Sequence, residues 1–431
     1  MIISFLDGNA LLPGLPSMRV REEATGGSIL DTASGKVVRV TEEELATWRV
    51  RAADSEGLIY YAVRSWGVEP LALGCSSSPD RIYLEVTRRC NLACPFCYRS
   101  AGHSEPEEMT THEWLNLIRS LALIGVYELR FTGGEPTTRH DILSLIDTAI
   151  AAGFFVTLGT NGVISERMAD ALSERPLGRF LVSLEGLASV HDALRGTGTF
   201  DRTVGTVRRL LAAGRKVRVN TVLCRRNIAG LRDFLAFCRA EGIENVSLIV
   251  PRPLGRASHP EFIADMPGAA DMEAVARFVG PLSLETGIRL EFQYNRYAAS
   301  PAAAAGDPIV RKIVSCPAGT QAGFVSPEGV LYACGCASEW LSDPVKRASV
   351  VAGDLRRASP SEVWGLWQRA MVWGSFRDLK ASKAPACLSC AHYGNGCFGS
   401  CPVHALSVGG RLNSPDPMCA LSGNERPVEG R

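Results

Sequence analysis

With 431 residues, 46% of them hydrophobic and 21% charged, the chain is long and apolar enough for about two or three globular domains. A formal charge of +1 gives no electrostatic case for binding nucleic acid or a membrane surface, and no apolar run is long enough to cross a bilayer. Met1 to Asp7 lacks the basic region of a signal peptide, which predicts a cytoplasmic protein; there, fourteen cysteines read as metal or cluster ligands more readily than as disulfides.

Residues 1–80 hold few metal-type ligands. Strands are predicted over 18–23, 27–31 and 36–40, the last two forming a hairpin around Ser34-Gly35. Thr41 followed by Glu42-Glu43-Glu44 is an N-cap with an acidic first turn, and it starts a helix running through Leu45 and Trp48. A second helix is expected over 56–66. From Arg81 to Val250 short apolar strands alternate with amphipathic helices. The strands fall at 82–86, 128–132, 155–159, 180–184, 216–223 and 246–250, and the helices at 111–123, 142–152, 166–172, 202–213 and 231–240. Gly153, Gly214 and Gly242 stand where helices should end. Such repetition argues for a parallel sheet with helical crossovers, and six units are too few for a closed eight-fold barrel. A further helix over 272–286, a strand over 289–292 and an Ala- and Pro-rich linker over 298–308 follow.

The cysteines fall into groups. Cys90-x3-Cys94-x2-Cys97 follows the first barrel strand. Three close thiolates without a fourth suit a 4Fe–4S cluster with one open iron, whereas structural zinc closes its shell with four ligands. A structural or redox cluster that takes a fourth ligand from elsewhere is the alternative. The second group is Cys316, Cys334, Cys336, Cys387-x2-Cys390-x6-Cys397-x3-Cys401 and Cys419. Eight thiolates can hold two clusters, or a pair of zinc sites. Cys75, Cys224 and Cys238 are isolated and read as buried small hydrophobes.

In a parallel barrel the chemistry lies beyond the carboxyl ends of the strands. Thr132-Gly133-Gly134-Glu135-Pro136 falls there, with glycines that admit close backbone approach and a carboxylate that can accept from an ammonium group. So do Thr160-Asn161-Gly162, Ser183-Leu184-Glu185-Gly186 and His191-Asp192-x2-Arg195-Gly196. Each is also an acceptable turn or solvated loop. Arg252 and Arg256, in a Pro-stiffened loop at the barrel mouth, are either solvated or placed to meet substrate carboxylates. No catalytic acid or base stands out.

The three-cysteine spacing, with Tyr98 directly after it, resembles the signature of the radical S-adenosylmethionine (SAM) enzymes. That resemblance implies an α/β fold with a partial (β/α)6 TIM-like barrel over 81–297, whose open iron is chelated by SAM. It assigns Gly133, Gly134, Glu135 and Pro136 to the SAM amino group, Ser183 and Arg195 to its carboxylate and ribose, and Tyr98 to the neighbourhood of adenine. Glu185 departs from the aspartate usual there. Residues 309–431 resemble the SPASM domain, a cysteine-rich auxiliary-cluster extension. By that likeness Cys387, Cys390, Cys397 and Cys419 hold an outer cluster, and Cys316, Cys334 and Cys401 an inner one, with Cys336 as a possible fourth ligand. Residues 1–80 resemble a small winged-helix-like element to whose sheet edge a leader peptide adds as a strand. The whole implies three 4Fe–4S clusters, SAM, an electron donor such as flavodoxin or ferredoxin, and a precursor peptide as substrate. Reductive cleavage of SAM would give a 5′-deoxyadenosyl radical that abstracts hydrogen from the peptide, leading to a crosslink or another side-chain modification. The alternatives are an enzyme acting on a sulfatase or a tetrapyrrole-type precursor, and a non-catalytic multi-cluster electron carrier or zinc-binding adaptor.

Overall fold

The computed structural model describes residues 2–3, 17–54, 57–66, 75–102, 107–292, 316–340, 350–369, 373, 377, 384–391, 393, 399, 401–403, 405 and 414. Five short strands open the chain: β1 (Ile2–Ile3), β2 (Met18–Glu22), β3 (Gly27–Asp31), β4 (Lys36–Val40) and β5 (Leu58–Tyr61). They form one sheet in the order β1-β5-β2-β3-β4, packed by the helix Glu42–Asp54. The helix expected over 56–66 is instead β5 and a 3-10 turn, Val63–Trp66. Leu58-Ile59-Tyr60-Tyr61 is buried at every position, and its β-branched and aromatic side chains suit a strand with neighbours on both edges better than a helix face.

The second sheet has ten strands and forms the barrel. Strands β6 (Arg81–Glu85), β7 (Glu128–Thr132), β8 (Phe155–Thr160), β9 (Arg179–Ser183), β10 (Val217–Val222), β11 (Asn245–Ile249) and β12 (Arg289–Phe292) run parallel in chain order. The expected six units are therefore present, with β12 added at one edge. Thr110 caps the first barrel helix, Thr111–Leu123, in a reciprocal capping box with Glu113. Trp114, Leu117, Ile118 and Leu121 of that helix lie in the main core with Leu84, Leu129 and Phe131 from the strands beneath.

At the other edge β13 (Ala322–Val325) pairs parallel to β6, and β14 (Val330–Tyr332) and β15 (Val351–Asp354) continue antiparallel. The C-terminal region thus starts as an extension of the barrel sheet, fixed to the strand that leads into the three-cysteine loop.

Two buried arginines of β2 fasten the first sheet to the barrel. Arg21 donates to the carbonyls of Gly125 (2.9 Å) and Pro79 (3.2 Å) and pairs with Glu23 (2.8 Å) and Asp80 (2.6 Å). Arg19 donates to the Gly153 carbonyl and lies 5.1 Å from the Tyr61 ring and 5.2 Å from Phe154. Gly125 and Gly153 follow helix C-termini, where partial negative charge favours a cation. Those ends lie at the amino-terminal side of the strands, so the first sheet docks opposite the cysteine-bearing end.

Candidate active site

The loop carrying Cys90, Cys94 and Cys97 leaves β6 and is clamped from three sides. Below it, Arg99 pairs with Glu85, both side chains almost wholly buried, with Nε 2.6 Å from Oε1. From the loop after β11, Arg256 donates Nε to the Cys94 carbonyl (2.9 Å) and Nη1 to that of Ala101 (2.8 Å), and its backbone N–H reaches the Cys97 carbonyl (3.0 Å). Arg256 is thus a structural clamp on the cysteine loop. Nothing in the sequence marked it as such, because its acceptors are main-chain carbonyls some 160 residues away.

The third clamp is the segment after β7. Gly134 N–H donates to the Thr87 carbonyl (2.8 Å) and Glu135 N–H to that of Arg89 (2.7 Å). A Cβ on Gly133 would sit 2.5 Å from the Thr87 oxygen, and one on Gly134 2.3 Å from the Arg89 oxygen. Their glycine character is therefore required by the backbone of the cysteine loop itself. Glu135 is fully buried, and its carboxylate accepts from Thr137 Oγ1 (2.7 Å), Thr137 N–H (3.2 Å), Thr160 Oγ1 (2.9 Å) and Asn161 N–H (2.7 Å). Burial pushes its pKa up, and these donors hold it back. Pro136, also buried, starts a short 3-10 turn there.

Asn161 joins the same assembly. Its Nδ2 donates to Asn91 Oδ1 (2.8 Å) and lies 4.0 Å from Cys90 Sγ, while Asn91 donates to the Val163 carbonyl (2.7 Å). The turn after β8 is thereby a contact of the cysteine loop.

On the other flank, Ser183 ends β9 opposite Asn220 of β10, partly exposed at the mouth. Arg195 donates Nε (2.9 Å) and Nη2 (2.6 Å) to Glu185 Oε1, and Glu185 Oε2 accepts from Val222 N–H (2.6 Å). The Arg195 guanidinium also lies 5.1 Å from the centre of the Phe96 ring. Phe96 packs with Cys94, Leu194, Cys224, Ala257 and Phe262. His191 Nδ1 accepts from Glu185 N–H (3.2 Å), which leaves the proton on Nε2, a buried atom without a hydrogen-bond partner. Burial first, and then Arg195, lower its pKa to about 4, so the ring is neutral at pH 7.

Tyr98 lies with Glu85, Arg99, Cys334 and Cys336, on the side of the C-terminal cysteines. Phe96 is the aromatic of this loop that packs with Cys94 and meets Arg195. An aromatic one place before the third cysteine was the signal available for it.

Cys334 and Cys336 lie beside each other with Arg252 nearby, and Cys316 and Cys401 are half-buried against the same main core. Cys387 and Cys390 flank the end of the short helix Pro385–Leu388. Cys397 and Cys419 lie outside the described residues. Among the described residues no three His, Cys, Asp or Glu side chains converge as ligands of a single metal ion. The donor set at the mouth suits an iron–sulfur cluster: three thiols are presented on one loop, and burial raises the Cys94 pKa while Arg195 and Arg256 beside it favour the thiolate, the ligand form.

Comparison with known proteins agrees. The family model described as the Radical SAM superfamily matches residues 84–238. Mycofactocin maturase MftC of Mycobacterium tuberculosis (strain ATCC 25618 / H37Rv) is 31% identical over 357 residues, covering 82% of this chain and 86% of its own. The AdoMet-dependent heme synthase of Methanosarcina barkeri is 28% identical, covering 80% and 98%, and the PqqA peptide cyclase of Bradyrhizobium diazoefficiens is 28% identical, covering 80% and 87%. Among solved structures, Streptococcus suis SuiB bound to precursor peptide SuiA superposes with a TM-score of 0.67 at 15% identity, covering 93% of this chain and 97% of that one. Such identity speaks for the fold alone, and the fold agrees with the partial barrel described above. The cysteine loop, the barrel that carries it and the extent of the MftC match together place the chain in the radical SAM superfamily.

Proposed function

We propose that the protein is a peptide maturase, an enzyme that binds a precursor peptide at the barrel mouth and modifies it through carbon-radical chemistry. The observation that carries this is the juxtaposition, in one chain, of the mouth cysteines with a second cysteine group, bridged by Tyr98 beside Cys334 and Cys336. The relatives named a maturase and a peptide cyclase, and the SuiB complex with its precursor peptide, supply the substrate class.

Cys90, Cys94 and Cys97 would hold the SAM-binding cluster, whose chemistry when loaded is reductive cleavage of SAM to a species that abstracts hydrogen. The protein supplies position and water exclusion. Arg256, the Arg99–Glu85 pair and the Gly133–Glu135 strip fix the loop. The 133–136 segment faces the SAM amino group, largely through its main chain, since the Glu135 carboxylate already accepts four hydrogen bonds. Ser183 and Arg195 take the SAM carboxylate and ribose, with Glu185 holding the guanidinium in orientation. Phe96 offers its ring to adenine, and Tyr98 connects the mouth to the auxiliary cysteines. Two auxiliary 4Fe–4S clusters, an inner one on Cys316, Cys334, Cys401 and Cys336 and an outer one on Cys387, Cys390, Cys397 and Cys419, would carry electrons from the substrate or toward it. A flavodoxin or ferredoxin is the matching electron donor, and the cytoplasm the matching compartment.

For the leader segment, β4 is the outer strand of the first sheet, with Val38 45% exposed, and an extended peptide can add there. The boundaries 1–80, 81–297 and 309–431 remain the working division of the chain.

The test is anaerobic reconstitution with iron and sulfide, followed by SAM, a strong reductant and candidate precursor peptides taken from short reading frames neighbouring this gene. The expected result is 5′-deoxyadenosine together with a mass change in the peptide. An unchanged peptide with SAM cleavage intact, and turnover of a tetrapyrrole precursor instead, would move the protein to the heme synthase-like reading.

A further inference from the structure

The loop after β11 is pressed against the three-cysteine loop. Gly255 has a φ of +54°, and a Cβ there would lie 2.6 Å from the Tyr98 carbonyl oxygen and 2.7 Å from that of Cys97. The two backbones therefore touch, which brings the next residue, Arg256, over the segment from Cys94 to Ala101. Its guanidinium is half-buried there and donates to two carbonyls, at 2.9 and 2.8 Å. Carbonyl oxygens satisfy its donors and leave its charge.

The other cations bordering the cysteine loop are matched or screened. Arg99 pairs with Glu85, Arg195 with Glu185 (2.6 Å) and Arg88 with Glu328 (3.2 Å). Arg89 is exposed, where water and salt weaken its field. On the Cys90 side stands the buried Glu135 carboxylate, of opposite sign. Arg256 makes no ion pair among the described residues, so the Cys94 side carries one positive charge that the fold does not cancel. Taking up one electron adds one negative charge to an iron–sulfur cluster, and its potential follows the charge and hydrogen bonding around it.

We propose that Arg256 tunes the reduction potential at the mouth, its uncompensated charge beside Cys94 favouring transfer of one electron from the flavodoxin- or ferredoxin-type donor. The inference rests on the cluster assignment above. It gives the clamp a second, electrostatic role, and substitution separates the two. Arg256→Lys keeps the charge and loses the forked pair of hydrogen bonds, whereas Arg256→Gln loses the charge and keeps an amide donor.

The test is a reductive titration followed by EPR on reconstituted, full-length protein without SAM. The mouth signal is the one absent from Cys90→Ala/Cys94→Ala/Cys97→Ala. Arg256→Gln should make reduction at least about threefold less favourable, roughly half of the 59 mV that a tenfold change represents for one electron. Arg256→Lys should stay within that margin of wild type. Glu185→Gln leaves Arg195 without its carboxylate and should move the potential at least as far in the opposite direction. That variant decides the matter if Arg256→Gln takes up no iron at the mouth. The proposal is overturned, with the cluster assignment intact, if Arg256→Gln stays within the margin, if Arg256→Lys shifts as far as Arg256→Gln, or if Glu185→Gln does not raise the potential. Reconstituted wild type that lacks the mouth signal would remove the cluster assignment, and the proposal with it.

Discussion

Two sets of arginines share one barrel and are treated oppositely by their surroundings. At the mouth, Arg99 meets Glu85 and Arg256 meets the Cys94 and Ala101 carbonyls, so their donors are directed at fixed acceptors of the chain. On the inner face of the sheet beneath, Arg179 lies in the field of Glu128 and Glu291 without an ion pair among the described residues, and Arg218 pairs with Glu291 (2.7 Å) while its Nε is buried without a hydrogen-bond partner. The residue type is the same, and the difference lies in whether the fold supplies the acceptor. The saturated guanidiniums hold the cysteine loop in place, whereas those on the inner face share the carboxylates of Glu128 and Glu291.

That contrast can be broken at its strongest point first. Arg99→Met leaves the Glu85 carboxylate buried without its cation, a change that costs about 3–5 kcal/mol when a buried pair is split. A matching fall in stability by chemical denaturation, with loss of iron at the mouth, is expected. Gly134→Ala forces a Cβ against the Arg89 carbonyl at 2.3 Å, a contact that only displacement of the cysteine loop can relieve. The expected outcome is at least a tenfold loss of SAM cleavage in a protein that still folds. Arg256→Met removes two hydrogen bonds from a charged donor to loop carbonyls and should lower stability by about 1–3 kcal/mol, read from the urea midpoint.

The pH dependence of His191 is a gentler probe of the same flank. Its folded pKa, about 4, lies below the ordinary value of 6.5, so the unfolded chain binds the extra proton first as pH falls. The stabilisation is complete above about pH 6.5 and is lost as pH drops toward 4. On the order of 1–3 kcal/mol should disappear across that window, and His191→Gln should flatten the curve. At the weak end, Arg208→Ala breaks an exposed pair with Glu241 (2.6 Å) and should leave the melting temperature unchanged within error.

How legible these features were follows from the range over which each signal acts. The barrel strands and helices repeat with a period short enough to read locally, and the three mouth cysteines lie within eight residues. Strand 58–61 was missed because four apolar residues before Val63 fit a helix face as easily as a strand until the neighbouring strands are known. The pairing of β13 with β6 spans some 240 residues and leaves no local trace. The Arg256 clamp was hidden for the same reason. The charged inner face of the sheet did leave a trace: Arg81, Tyr83 and Glu85 alternate with Ile82 and Leu84, as Glu128 and Arg130 do with Leu129. Parallel strands covered on both faces are usually apolar throughout, so this alternation marks an inner face built from charged pairs.

In the proposed reading the cysteines at the mouth, and not the C-terminal set, hold the cluster that cleaves SAM. Anaerobically reconstituted protein should form 5′-deoxyadenosine from SAM under a strong reductant, and the combined variant Cys90→Ala/Cys94→Ala/Cys97→Ala should form none while retaining iron at the C-terminal cysteines. A triple variant that still cleaves SAM, or reconstituted wild type that does not, would contradict this assignment of the mouth cysteines.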